Sequence, residues 1–346
     1  MSGKAMIAMS GGVDSSVAAY LMQQAGFSCV GATMRLLERT SSDVSDAQAI
    51  AQRLGMPFHV LDFTKQFRQE VMEDFVRCYE AGLTPNPCIV CNRRLKFGML
   101  LDAALELGCE YVVTGHYAQI LEKDGRYLLQ KAADSAKDQS YFLYSLTQHQ
   151  LSHVRFPLGG LTKEEARLVA EAQGFINARK RDSQDICFIP DGDYFAFLQQ
   201  FTQKMYPGGD FLDMDGRVVG KHQGAVAYTR GQRKGLGLAM GKPVYVSHKD
   251  MDKNTVTVCS NEQLFSTSLL ANDWNFFPFD RLDSPIRCKA KARSRMIEQP
   301  ATVYPEASGV CRVVFDEPQR ALTTGQAVVL YDGDTVIGGG TITEIL

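Results

Sequence analysis

Two groups of residues have the types and spacing that chemistry requires. The first is Ser10-Gly11-Gly12-Val13-Asp14-Ser15-Ser16. An apolar run from Ala5 to Met9 leads into it, and Val17 and Leu21 follow at helical spacing, so the segment reads as a strand-to-helix turn. Glycines there let the backbone pass close to a phosphate, while free N–H groups and the positive helix end face the anion. Ser15 and Ser16 add hydroxyl donors, and Asp14 is expected to cap the helix and to help hold magnesium. The Gly-Lys-Ser/Thr ending of a Walker loop and the three-glycine spacing of a dinucleotide fold are both missing, which counts against kinase and dehydrogenase readings. A Gly-Gly turn with a serine cap is the plain structural alternative.

The second group is made of cysteines. Thr84-Pro85-Asn86-Pro87-Cys88-Ile89-Val90-Cys91-Asn92 is a proline-marked loop, with a helix expected from about Arg93. A cysteine at a helix N-terminus has its thiolate stabilised, so Cys91, beside Arg93 and Arg94, is expected to be an activated nucleophile. Cys187 lies in Asp182-Ser183-Gln184-Asp185-Ile186-Cys187-Phe188-Ile189, after the basic run Arg179-Lys180-Arg181. The remaining six cysteines, among them Cys29, Cys109, Cys259 and Cys311, fall in apolar or strand-like stretches and read as buried. A structural zinc would need four ligands, and Cys88 and Cys91 have no second pair at suitable spacing. A thioredoxin-like pair would have to open the first helix of such a fold, which this pair does not.

These groups need a scaffold. The chain has 346 residues, 45% hydrophobic and 22% charged, which suits a folded protein of two or three domains. Strand-like Cys29–Met34, Phe58–Leu61 and Tyr111–Thr114 alternate with helical stretches such as Ala47–Leu54, implying a mostly parallel sheet covered by helices on both faces. From about residue 207 the texture changes to Gly-rich turns and short alternating strands. The expected architecture is therefore an α/β catalytic domain over 1–200, a small β-rich domain over 201–264 and a C-terminal β-barrel over 265–346. Nine cysteines at scattered spacing do not suggest a secreted disulfide framework, no apolar run reaches membrane-spanning length, and Met-Ser-Gly-Lys does not begin a secretory signal. A cytoplasmic location without membrane contact is expected.

A net charge of -2 gives no general attraction for nucleic acid, so such a partner would have to be held by local patches. Arg287, Lys289, Lys291, Arg293 and Arg295 fall on every second residue, the period that lines one face of a strand. That ladder could follow a phosphate backbone, or it could guard a strand edge against pairing.

The Ser10–Ser16 heptapeptide resembles the pyrophosphate loop of the N-type ATP pyrophosphatases, which have an adenine nucleotide hydrolase-like sheet and activate a carbonyl oxygen by adenylation. Further along, Thr84-Pro85-Asn86-Pro87 with Cys91-Asn92 and Lys96-Phe97 resembles one branch of them, the tRNA-specific 2-thiouridylases. So do Thr114-Gly115-His116-Tyr117-Ala118, Lys137-Asp138-Gln139-Ser140-Tyr141-Phe142-Leu143, Asp182-Ser183 with Ile186-Cys187-Phe188-Ile189, and Gly231-Gln232-Arg233-Lys234-Gly235-Leu236-Gly237. The likeness runs over essentially the whole chain. It implies sulfur transfer to the C2 position of the wobble uridine of tRNA, with ATP and Mg2+ as cofactors. It further implies a sulfur-donor protein, either a persulfide relay or a cysteine desulfurase, as a partner, and a monomer. ATP contacts are implied for Ala8, Met9, Ser10, Gly11, Gly12, Val13, Asp14, Ser15, Met34 and Gly115. tRNA contacts are implied for Asn86, Pro87, Cys88, His116, Lys137, Asp138, Gln139, Arg293, Ser294 and Gln326. Cys187 is implied as the persulfide carrier and Cys91 as its catalytic partner.

Three positions depart from that pattern. Cys88 stands where other members have aspartate, which opens a second scheme in which Cys88, Cys91 and Cys187 ligate an iron-sulfur cluster. Ser294 replaces a common tyrosine, and Arg230 a commonly apolar residue. Other readings to be separated are a different ATP pyrophosphatase, such as an amidotransferase-type or 2-thiocytidine synthetase, and an RNA-binding module without chemistry.

Overall fold

The computed structural model describes every residue except 1, 39–40, 179 and 181–185. Seven strands lie in the first half of the chain: β1 (Ser2–Ala8), β2 (Phe27–Arg35), β3 (Phe58–Asp62), β4 (Tyr111–Val113), β5 (Gln119–Lys123), β6 (Arg126–Gln130) and β7 (Val154–Arg155). Five of them form a wholly parallel sheet in the order β3-β2-β1-β4-β7. Side chains of β1 alternate between two cores, as a strand buried on both faces requires. Ala5 and Ile7 pack with Val13, Val17 and Ala18 of helix α1 (Val13–Gln24), while Met6 faces Leu100, Leu101 and Ala104.

The strand order reverses beside β1, since the chain builds β2 and β3 on one side of it and β4 and β7 on the other. Loops leaving the C-terminal ends of β1 and β4 therefore border one crevice, the usual place for a ligand in an open parallel sheet. These loops are Ser10–Gly12 and Thr114–His116, two of the segments singled out from the sequence.

Beyond residue 207 the chain is mainly β. Strands β8 (Gly209–Leu212), β9 (Val218–His222), β10 (Tyr245–Asp250) and β11 (Thr255–Cys259) form a small sheet in the order β10-β11-β8-β9. Then β12 (Phe265–Phe276), β13 (Ile286–Lys291), β14 (Gln299–Pro305), β15 (Cys311–Arg320), β16 (Ala327–Asp332) and β17 (Thr335–Ile345) close into a six-stranded barrel through β12–β17 pairing. The antiparallel hairpin β5–β6 leaves the first unit and joins this barrel, Gln130 pairing with Thr335 of β17. Leu129, Tyr141 and Leu143 share one core with Val329, Tyr331 and Val336. Among the described residues no helix is long and apolar enough to cross a membrane.

Barrel closure depends on backbone proximity at Gly338, where an added Cβ would lie 2.2 Å from the Asn275 carbonyl oxygen. Gly338→Ala should destabilise the protein by about 1–3 kcal/mol. Gly160→Ala, where a Cβ meets nothing within 4 Å, should stay within about 0.5 kcal/mol of the parent. Urea midpoints measure both, and equal midpoints would contradict the closure argument.

Candidate functional site

The Ser10–Ser16 turn is built as an anion cradle. Gly11 takes a φ of +70°, and Gly12 precedes α1 without any side-chain cap. The amides of Gly11, Gly12, Val13 and Asp14 have no hydrogen-bond acceptor among the described residues, the condition of a helix N-terminus able to receive phosphate. Hydroxyls shape the turn: Ser10 N–H donates to Ser15 Oγ at 3.2 Å, and Ser15 and Ser16 donate to the Gly12 carbonyl at 3.1 and 3.0 Å. Ala8 ends β1, and Met9 is fastened to β2 by its N–H to the Ala32 carbonyl at 2.8 Å and its own carbonyl to Thr33 Oγ1 at 2.7 Å. Met34 sits half-buried near the end of β2.

Asp14 is not the cap expected of it. It lies inside the first turn, and its two carboxylate oxygens accept from Lys163 Nζ at 2.7 and 2.8 Å, with Tyr117 OH donating to Oδ1 at 2.9 Å. A carboxylate so occupied is a poor dedicated magnesium ligand, although the nearby ammonium adds positive charge beside the cradle. Lys163 and Asn177 were not legible as site residues. Asn177 Nδ2 donates to the Gly11 carbonyl at 3.1 Å and to Ser16 Oγ at 2.9 Å, holding the turn from behind. Gly115 has to be glycine, because a Cβ would lie 2.7 Å from the Asp14 carbonyl carbon and 2.8 Å from Ser15 N.

The cysteine loop differs from its expected form. Its helix begins at Pro87, not near Arg93, with Asn86 as N-cap; Cys88 is in the first turn, and the helix continues through a π-helical stretch, Asn92–Met99. Pro87 is suited to that first position because no N–H is needed there. Arg93 is drawn away to Asp273 of the barrel at 2.7 Å, so the cation acting on the thiols is Lys96. Burial outweighs it. Desolvation raises the thiols of Cys88 and Cys91 above their ordinary value, and that of Cys187 to about 12, with the neighbouring Cys91 and Cys88 adding to the Cys187 shift and Lys96 opposing it. The activation expected for Cys91 is thus absent in the free protein. Cys88 and Cys187 nevertheless keep accessible surface, whereas Cys91 is buried.

Cys187 is pinned by its neighbours. Phe188 and Ile189 enter the core that contains Cys91, Phe188 meeting Phe67 and Phe75 edge-on at 5.7 and 5.4 Å. The preceding Arg179, Arg181 and Asp182–Asp185 lie outside the described residues, and Lys180 bonds Asp46 at 2.9 Å. Cys88, Cys91 and Cys187 are all described, yet among the described residues no three His, Cys, Asp or Glu side chains are gathered so as to hold a metal ion. The iron-sulfur scheme is therefore not favoured by the arrangement of these residues.

His116 joins the two halves. It follows Gly115, donates or accepts at Thr114 Oγ1 over 2.7 Å, and packs against Phe97 and Phe156. Burial, then Lys96, holds its imidazole well below the ordinary value, so it stays neutral. Asn86 borders a cleft of about 490 Å³ with Pro85, Arg93, Arg94, Asp273 and Thr341, between the cysteine helix and the barrel.

Other expected contacts are engaged within the protein. Asp138 accepts from Ala132 N, Ser140 N and Ser140 Oγ, and Gln139 exchanges bonds with the Tyr117 backbone, organising the loop that carries Lys137. Gln326 Nε2 donates to the Thr84 carbonyl at 2.7 Å. The basic ladder is shorter than its spacing implied. Arg287, Lys289 and Lys291 share a face of β13, but Arg287 pairs with Asp316, and the strand ends before Arg293, Ser294 and Arg295.

Comparison with known proteins covers nearly all of the chain. Residues 3–191 match the family described as tRNA methyl transferase HUP domain, 195–260 its PRC-barrel domain, and 266–342 the aminomethyltransferase beta-barrel domain. A tRNA-specific 2-thiouridylase MnmA from Acetivibrio thermocellus is 46% identical over 354 residues, spanning 98% of this chain and 99% of its own. The protein of that name from Clostridioides difficile is 45% identical over 360 residues, 100% and 99% of the two chains, and that from Symbiobacterium thermophilum 46% over 357, 98% and 92%.

Two outcomes follow from the geometry. Gly115→Ala should weaken ATP binding roughly tenfold or more by calorimetry, since relieving about 1–3 kcal/mol of overlap must displace the cradle; unchanged affinity would refute the close-approach argument. Alkylation of Cys187, followed by peptide mass mapping, should accelerate about tenfold per unit between roughly pH 7 and 9, because only thiolate reacts. A plateau within that range would show that burial does not control this thiol.

Proposed function

The chain belongs to the tRNA-specific 2-thiouridylase family, and from that premise we propose that it catalyses ATP-dependent 2-thiolation of the wobble uridine of tRNA. One observation carries the reading: Gly115 and His116 are consecutive, the first in backbone contact distance of the phosphate turn, the second packed on Phe97 of the helical stretch that continues from Cys88 and Cys91. That link supports a reading in which adenylation and sulfur transfer occur at adjoining places. The methyl transferase wording of the family models sits less well with this chemistry than the thiouridylase names of the full-length relatives, because a nucleotide cradle beside two thiols serves activation followed by sulfur attack.

In the proposed sequence, the uridine C2 oxygen attacks the α-phosphorus of ATP and pyrophosphate leaves toward the Gly11–Asp14 amides, whose donors stabilise the developing charge. Magnesium bound with the nucleotide would supply further charge neutralisation. The terminal sulfur of a Cys187 persulfide then attacks C2, and AMP departs with the former oxygen. The Cys91 thiolate attacks Cys187 Sγ, breaking the sulfur–sulfur bond, so the base keeps sulfur as 2-thiouridine and a Cys91–Cys187 disulfide remains for reduction. Asn86, Pro87 and Cys88 line the slot for the base, which has to leave its stack to be reached. We take residues 1–200 as the catalytic unit, 201–264 as the central one and 265–346 as the RNA-holding barrel, in a monomer of the cytoplasm served by a sulfur-donor protein.

Incubation with ATP, magnesium, a persulfide donor and tRNA, then nucleoside mass spectrometry, should yield 2-thiouridine. Cys187→Ser and Cys91→Ser should each lower the rate by about a thousandfold or more, the scale of removing one member of a catalytic unit. Persisting thiolation in Cys187→Ser would defeat the sequence of steps.

A further inference from the structure

Lys163 reaches Asp14 of the phosphate turn from 149 residues further along the chain. It opens the helix Lys163–Ala172, whose Ala166 and Ala170 share a core with Val13 and Val17 of α1. Small side chains at that contact bring the two helices close together. The start of the second helix is firmly held: Thr162 Oγ1 accepts from Glu165 N at 3.2 Å, the Glu165 carboxylate accepts from Thr162 N at 2.7 Å, and Lys163 N donates to Asp134 Oδ2 at 3.0 Å. With these amides spent inside the protein, what the helix offers to the phosphate turn is the Lys163 side chain.

That side chain is nearly buried, 10% exposed against 30% for Asp14, and an ammonium so placed needs a charged partner. Asp14 supplies both its oxygens, at 2.7 and 2.8 Å, while Tyr117 OH donates to Oδ1 and the Tyr117 ring lies 5.9 Å from the ammonium. The dependence also runs the other way. Asp14 stands in the first turn of α1, among the Gly11–Asp14 amides that have no acceptor within the described residues. Its negative charge alone would satisfy the positive helix end and repel a second anion arriving there. With an ammonium on the carboxylate, the pair is neutral at short range and the amides are left for phosphate. The carboxylate is also short of room, because a Cβ on Gly115 would lie 2.8 Å from Asp14 Cβ, and Tyr117 is itself tied by its N–H to Gln139 Oε1 at 2.9 Å.

We propose that Lys163 is a positioning residue for the nucleotide: by holding and neutralising Asp14, it keeps the Gly11–Asp14 turn able to take the pyrophosphate part of ATP. The role rests on the reading that ATP is split at this turn. Lys163 acts through the carboxylate it touches, and its influence falls with distance, so it is felt by the phosphates that meet the turn and hardly by the AMP part. The same neutralisation favours the charge that gathers on pyrophosphate as the bond to the α-phosphorus breaks.

Calorimetric titration of the full chain with inorganic pyrophosphate and, separately, with AMP tests it, with 2-thiouridine formation by wild type as the companion measurement. Lys163→Met keeps the apolar stem and removes the charge; it should weaken pyrophosphate about tenfold to a hundredfold and AMP by no more than about twofold. Lys163→Arg, which restores a cation, should recover most of the loss. If Lys163→Met fails to fold, Lys163→Gln, which keeps a donor for Asp14 without the charge, carries the same comparison. Equal weakening of both ligands would mean that the turn has merely lost its shape, and unchanged pyrophosphate affinity that Asp14 needs no neutralising; either result overturns the role. Wild type that binds neither ATP nor pyrophosphate would remove the nucleotide reading and the role together. A selective loss of pyrophosphate in Lys163→Met, beside a wild type that forms no 2-thiouridine, would uphold the role and reject the tRNA reading alone.

Discussion

Placement of the cysteine helix depends on a small set of bonds between Thr84-Pro85 and the barrel. Thr84 N–H donates to the Thr324 carbonyl at 3.0 Å, and Gln326 Nε2 reaches back to the carbonyls of Thr84 and Pro85. Gly325 makes this possible, since a Cβ there would be 2.9 Å from Thr84 N and from Leu83 Cβ. Prolines cannot donate backbone bonds, so a segment with Pro85 and Pro87 has few internal means of fixing itself. The barrel supplies them from outside, and Arg93–Asp273 adds a second tie one turn further along the helix. The C-terminal unit thus acts on the chemistry by deciding where Cys88 and Cys91 stand.

Those thiols are held in a way that opposes ionisation. One ammonium, Lys96, acts against the desolvation of three sulfurs and does not overcome it. A protein that must carry reactive sulfur gains from this: a thiol kept protonated is slow toward stray oxidants and electrophiles. The neutral His116 fits the same pattern, because a second cation beside Lys96 is excluded by burial. Nucleophilicity has then to come from the form of sulfur loaded and from the bound nucleotide and base.

Much of this was legible from residue order. The parallel sheet followed from β-rich apolar runs alternating with helices, and the cradle from glycines at a strand end, because both signals are local. The change to β structure after residue 207 was announced by turn residues. What was not legible depends on distant partners. Nothing in the neighbourhood of Lys163 or Asn177 marks them, yet the fold delivers one to Asp14 and the other to Gly11. Period two in Arg287–Arg295 fixed a face only while the strand lasted, and the turn after Lys291 redirected Arg293 inward. For Cys91 the flanking arginines were visible, but burial and the competing claim of Asp273 on Arg93 were not.

The hairpin β5–β6 has a further consequence. It grows out of the first unit yet lies in the barrel's sheet, with Lys131 bonded to Glu298 at 2.6 Å and to the Gly333 carbonyl at 2.9 Å. A fragment cut after the first unit would carry this ribbon with the end of β6 stripped of its partner, Gln130 having lost Thr335 and Lys131 its bonds to Glu298 and Gly333. Modular exchange of the three parts, by recombination or by engineering, is therefore obstructed by shared seams, and the chain should be inherited and expressed as a single block.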